Sequence, residues 1–280
     1  SHVKEMHLGR ELDYLLGISP LLVGMLAMPT IEEATSGRLF WPRIIAASEM
    51  QSFYRKLVLT QPSLEKGEWW RLISYLFLHH DVDHLLKNIS GILCSGFTVF
   101  NHLGIESVYG VFFCSGAFAG LNSWGRTFQT EAQLQASIPS VPKSLELAVP
   151  ESAQLWDRFR LAAAKWTAPI VSSRTDAYGS SGGVAGLMGF TLGISLYRFR
   201  MLLGLALGEP RRLQRSLPRG GRHGLELFVT TVNLFQSGYF LLQEWESIRG
   251  DRGLTGVDHA GHLTGFTFGL VSALVTMAGG

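Results

Sequence analysis

The side chains able to do chemistry in this chain stand at the edges of its most apolar stretches. Ser181 sits in Gly179-Ser180-Ser181-Gly182, and His262 opens His262-Leu-Thr-Gly265-Phe-Thr-Phe-Gly269. His84 and Asn88 are four residues apart and so share one helix face. A serine hydroxyl attacks a carbonyl only when a base takes its proton, and histidine has the right pKa for that task. Acyl transfer then builds negative charge on an oxygen, which preorganised donors such as histidine and asparagine stabilise. Each residue also has a plainer reading, Ser181 as a small packing residue and His262 as an interfacial histidine. His259 is a second candidate base, but it lacks the glycines three and seven positions on that follow His262. No third acid is evident, because the helical position of Asp258 does not aim it at the imidazole. No Cys/His set has zinc spacing and no phosphate-binding glycine loop precedes a strand, so neither a metal nor a cofactor is expected.

Ser181 and His262 are 81 residues apart, so only packed elements can bring them together. The chain has 280 residues, 32 of them glycine, with 16% charged and a mean hydropathy of +0.19. That composition excludes a disordered chain, and two cysteines cannot staple a fold of this size. The apolar residues gather into runs at Tyr14–Met28, Leu85–Phe100, Ser107–Trp124, Ala177–Tyr197, Leu227–Gln243 and Leu263–Gly280. A membrane-spanning helix needs about 20 mostly apolar residues. The expectation is an all-α, polytopic bundle of six transmembrane helices in one domain over residues 1–280. Glycines four apart at Gly182/Gly186, Gly189/Gly193 and Gly265/Gly269 predict close contact between the fourth and sixth helices.

Charge predicts the orientation. Seven arginines and one acid lie between Arg198 and His223, which places that loop on the cytoplasmic or matrix side. The balanced segments Thr30–Arg71 and Gly125–Ala177, with six bases and five acids each, then face the other side. A net charge of +2 gives no reason to expect nucleic acid. Gly37–Thr60 mixes aromatic and basic residues in the manner of an interfacial helix, and Gln154–Trp166 has helix-like spacing suited to a membrane surface, a gate or a partner. Cys94 and Cys114 read as free apolar fillers.

The ordered set of motifs resembles the rhomboid family of intramembrane serine proteases. Trp70-Arg71, then His79 with His84-x-x-x-Asn88, then Gly179-x-Ser181-Gly182, then His262-x-x-Gly265-x-x-x-Gly269 follow the family order from Gly67 to Gly269. The resemblance implies a six-helix rhomboid-like fold with Ser181 as nucleophile and His262 as general base, a dyad without an acid. It implies His84, Asn88 and the Ser181 backbone N–H as oxyanion donors, with Trp70, Arg71 and the motif glycines as structure. Its partners would be membrane lipids and transmembrane protein substrates. Ala185 and Gly261 depart from the usual tyrosine and alanine, and the 125–177 loop is longer than the family's. Asp258-His-Ala-Gly-His262 resembles mitochondrial rhomboids, so the mitochondrial inner membrane is expected, with a targeting segment upstream of Ser1. The rival readings are an inactive rhomboid-like scaffold or subunit of a larger membrane complex, held through the 125–177 loop, and a transporter or channel.

Overall fold

The computed structural model describes residues 2–36, 54–127, 176–177, 179–206, 223–249 and 258–279. Among them the chain is mostly helical. The interfacial helix expected at Gly37–Thr60 lies largely outside the described residues, as do Gln154–Trp166 and the arginines 211–222. The helices are α1 (His2–Ala27), α2 (Ile31–Ser36), α3 (Gln61–Glu65), α4 (Arg71–Ser74), α5 (Val82–Gly91), α6 (Phe97–Leu103), α7 (Ile105–Thr127), α8 (Ser181–Ala206), α9 (His223–Arg249) and α10 (His259–Gly279). A wide π turn, Ile92–Gly96, joins α5 to α6. Each apolar run therefore falls on a helix or on the α5–α6 rod. The fourth starts later than its run, because Ala177 belongs to a strand. Two helical stretches, Gly9–Glu33 and His259–Ala278, are long and apolar enough to cross a membrane.

Pro20 sits inside α1 without ending it. Proline has no N–H, so the Leu16 carbonyl four residues earlier loses its helical partner. The Ser19 hydroxyl donates to that carbonyl at 2.8 Å, which keeps the helix satisfied where water is scarce. The π turn frees carbonyls in the same way, and neighbours take them up. Tyr14 Oη on α1 donates to the Ile92 carbonyl at 2.5 Å, and Thr191 Oγ1 on α8 donates to the Ser95 carbonyl at 3.3 Å.

The glycine faces settle the packing. A Cβ on Gly265 would strike the Gly182 carbonyl, and one on Gly269 the Gly186 carbonyl. Gly189 lies equally close to the Phe266 backbone, and Gly193 to Ala273. The expected contact of the fourth and sixth apolar helices, α8 and α10, is thus backbone against backbone. On its other side Gly183 would meet the Phe112 carbonyl of α7 at 2.7 Å, so α8 is held between two helices. Leu187, Phe190 and Ile194 of α8 are buried in the core with Phe112, Ile92 and Ile18. α9 is the opposite case: Phe228, Val232, Phe235, Tyr239 and Leu242 are all exposed. Large apolar surface of that extent fits lipid rather than water as the outer solvent.

Strand β1 (Leu59–Thr60) pairs antiparallel with β2 (Asp176–Ala177), Leu59 opposite Ala177. This short ladder ties the segment before α3 to the residues that enter α8. Thr60 and Ser63 form a reciprocal capping box at the start of α3, with Pro62 in its first turn.

Candidate active site

The approach to Ser181 is a tight turn. Gly179 has φ +106, a left-handed conformation that side chains rarely adopt, and its N–H donates to the Tyr75 carbonyl at 3.1 Å. A Cβ at Gly179 would also lie 2.8 Å from His84 Cε1, so only glycine lets the histidine rest against this turn. Tyr75 is fixed in turn by its hydroxyl, which donates to the Gly116 carbonyl at 2.6 Å. Ser180 Oγ and His79 Nε2 are hydrogen-bonded at 3.1 Å, with both residues buried. Burial, with neighbouring His84 adding to it, pushes the His79 imidazole down to about 3 and keeps it neutral. Ser181, the next residue, begins α8 and is only partly buried.

α5 brings His84 to this turn. Asp81 caps the helix, its carboxylate accepting from the His84 N–H at 2.7 Å, which orders the first turn. Asn88 follows one turn later and is buried, and its Nδ2 has no hydrogen-bond partner among the described residues. His262 lies within electrostatic reach of His84. The helix contact explains why. Gly182 is one residue past Ser181 and Gly265 is three past His262, and these two glycines touch through backbone atoms. Serine and histidine are therefore carried to the same level of the bundle. Among the described residues, no hydrogen bond joins them.

His262 is bonded elsewhere. Its Nδ1 lies 3.1 Å from Glu244 Oε1, and Nδ1 of His259 lies 2.8 Å from Oε2 of the same carboxylate. The expectation of no acid beside His262 is thus corrected: the acid comes from α9, not from the neighbourhood of Asp258. Phe240, one turn before Glu244, places its ring 6.4 Å from the imidazole. Sequence spacing missed Glu244 because it is 18 residues from His262 and on a different helix. A glutamate at the end of an apolar run was the available signal. Glu244, His259 and His262 are also metal-ligand types, with ligand atoms within 4.8 Å of one another. Their contacts with one another are hydrogen bonds between carboxylate and imidazole.

Asp258 has a different role. Its carboxylate accepts from the Gly261 N–H at 2.8 Å at the start of α10. A Cβ at residue 261 would collide with that carboxylate, which accounts for glycine there. Arg71 is buried and holds the chain ahead of α3: it donates to the Arg55 and Val58 carbonyls at 2.9 and 2.8 Å and to Glu68 at 2.6 Å. Its guanidinium stacks 4.8 Å from the exposed Trp70 ring. Ala185 is buried among the small residues of α8.

The Rhomboid domain matches residues 66–144 of the chain, which takes in Trp70, Arg71, His84, Asn88 and α7 and stops short of Ser181. RHOMBOID-like protein 5 of Arabidopsis thaliana is 28% identical over 103 residues, covering 37% of this chain and 31% of the relative. The match therefore spans about a third of that protein's length. No solved structure matches the chain. Beyond the matched segment the two remaining motifs, around Ser181 and His262, meet through the glycine contact of α8 and α10. Over residues 66–144 the chain is thus similar to the Rhomboid domain, and the motifs around Ser181 and His262 lie beyond that match.

Proposed function

We propose that the protein is an intramembrane serine protease in which Ser181 attacks a peptide carbonyl and His262 takes and returns its proton. The observation that carries this reading is the buried Asn88 amide, 4% exposed with no partner for Nδ2 among the described residues. A buried unsatisfied donor costs about 1–3 kcal/mol, so its presence calls for a reason. An oxygen that becomes negative only during reaction supplies one. Asn88 and His84 share a face of α5, His84 rests on the turn before Ser181, and the Ser181 N–H opens a helix whose positive end favours an anion. Attack forms the Oγ–carbon bond and moves the carbonyl electron pair onto the oxygen. The pair then returns to re-form the carbonyl, the carbon–nitrogen bond breaks, and the amine leaves with the proton taken by His262; water repeats the sequence on the acyl-enzyme to free the serine.

The absence of a Ser181–His262 hydrogen bond favours the second reading, a rhomboid-like scaffold in a larger membrane complex. It does not decide the matter, since such bonds are often loose until substrate is bound. In the protease reading all six apolar helices span the bilayer and substrates are transmembrane helices near a destabilised point. The arginine loop faces cytosol or matrix, with the mitochondrial inner membrane as the proposed site. The test is a fluorophosphonate probe on the purified protein in lipid. Labelling that disappears in Ser181→Ala supports the protease; a folded protein that never labels supports the scaffold. Loop tags in sealed vesicles test the spans, and finding residues 128–175 and 207–222 on one side would sink the six-span topology.

A further inference from the structure

Glu244 is 8% exposed, and both of its oxygens are used, one by each of two histidines three residues apart on α10. An ionised carboxylate can only accept, so the hydrogen in each of these bonds must reside on the imidazole Nδ1. For neutral His262 that leaves Nε2 bare, with its lone pair available. The second histidine matters to the acid rather than to the serine. Held at both oxygens, the carboxylate cannot rotate away from His262.

We infer that Glu244 is the positioning residue for His262, a part of the site beyond the serine–histidine dyad. This rests on the protease reading. Glu244 fixes the tautomer whose Nε2 can take the Ser181 Oγ proton, and its charge stabilises the imidazolium formed by that transfer. His259 steadies the carboxylate from the same helix. Among the described residues, His84 from α5 also lies within electrostatic reach of His262, and Asp258 stands at the start of α10. Asp258 bonds the Gly261 N–H, so it is committed to the helix start. The role is one of orientation, since nothing places Glu244 in contact with substrate.

The experiment measures fluorophosphonate labelling of the full chain in lipid, separating probe binding from the chemical rate. Thermal stability is read alongside, for wild type, Ser181→Ala, Glu244→Gln and Glu244→Asp. Glutamine keeps the size and one acceptor but can present its NH2 to His262 and favour the wrong tautomer. A comparable exchange beside a triad histidine lowers kcat by about 10⁴, and a loss of at least about 100-fold is expected here. The loss should fall on the chemical rate with binding and melting temperature unchanged, and Glu244→Asp should recover part of it. A Glu244→Gln protein that labels at the wild-type chemical rate overturns the inference alone. So does an equal loss in both variants that follows a lowered melting temperature. An unlabelled wild type, or a labelled Ser181→Ala, overturns the protease reading and this inference with it.

Discussion

Two adjacent serines in one turn are paired differently: among the described residues only the first is hydrogen-bonded to a histidine. Ser180 and His79 are joined by a 3.1 Å hydrogen bond in a place closed to water. Ser181 and His262 lack that bond among the described residues, yet they sit where α5, α8, α9 and α10 converge. A bond between serine and histidine is therefore a poor guide to reactivity by itself. Burial and neighbouring His84 outweigh the Asp81 charge that would favour protonated His79, and the depressed pKa makes it a weak base. His262 has a carboxylate on one nitrogen, and His84, on another helix, lies within its electrostatic reach. The first pair fastens the loop ahead of α5 to the entrance of α8; the second is the one to which the protease proposal assigns acyl transfer.

The sharpest way to break this comparison is to remove each hydroxyl separately. Ser181→Ala should abolish fluorophosphonate labelling and leave the melting temperature nearly unchanged. Ser180→Ala should retain labelling but strand His79 in a dry site, costing about 1–3 kcal/mol, visible as a lowered melting temperature. Labelling that survives Ser181→Ala and vanishes in a folded Ser180→Ala would mean the roles are reversed. Next in size is the helix contact. Gly265→Leu must push Gly182 away and should separate only the second pair, with loss of labelling and a destabilisation of several kcal/mol. Gly238→Leu on α9, where a Cβ meets nothing within 4 Å, is the matched control and should do neither.

Acid separates the pairs more gently. His79 has a folded pKa of about 3, below the about 6.5 of an unfolded histidine, so the unfolded chain binds the proton first. This contribution to stability is fully present above about pH 6.5 and is lost progressively as pH falls toward about 3. Chemical denaturation at several pH values should show the decline, and His79→Gln should remove part of it. An unchanged acid limb in a folded His79→Gln would show that other groups govern it. The smallest effect is at Gly261→Ala, which crowds the Asp258 cap and should cost about 1 kcal/mol. A melting temperature equal to wild type would mean that the carboxylate moves aside freely.

The helices and their closest pairing were readable in the sequence for a simple reason. Uncharged runs and glycines four apart are local patterns, and they report the solvent outside a helix and the distance of its neighbour. Ser181 and His262 could be singled out as candidates because each carries its own glycines. Glu244 was not, since a lone acid at the end of an apolar run says nothing about which imidazole it will meet. His79 had a motif position but no role until the turn at Gly179 brought Ser180 to it. The π turn left no signature at all, because Ile92–Gly96 has the composition of any membrane helix.

That wide turn limits how this chain can change in length. One residue more than an ordinary α-turn rotates everything beyond it by about 100°. His84 and Asn88 lie before the turn, while Phe97 and Phe100, which pack on the Tyr14 ring, lie after it. Deleting a single residue between 92 and 96 would restore a regular helix and swing one of these sets off its target. The Tyr14 and Thr191 hydroxyls would lose the carbonyls they now reach at the same time. Single-residue insertions and deletions are therefore barred here, and at Gly96 even a Cβ would strike the Tyr14 hydroxyl that holds the Ile92 carbonyl. The first helix and the serine helix are thus registered against each other through a rod whose residue count, more than its residue types, must be kept.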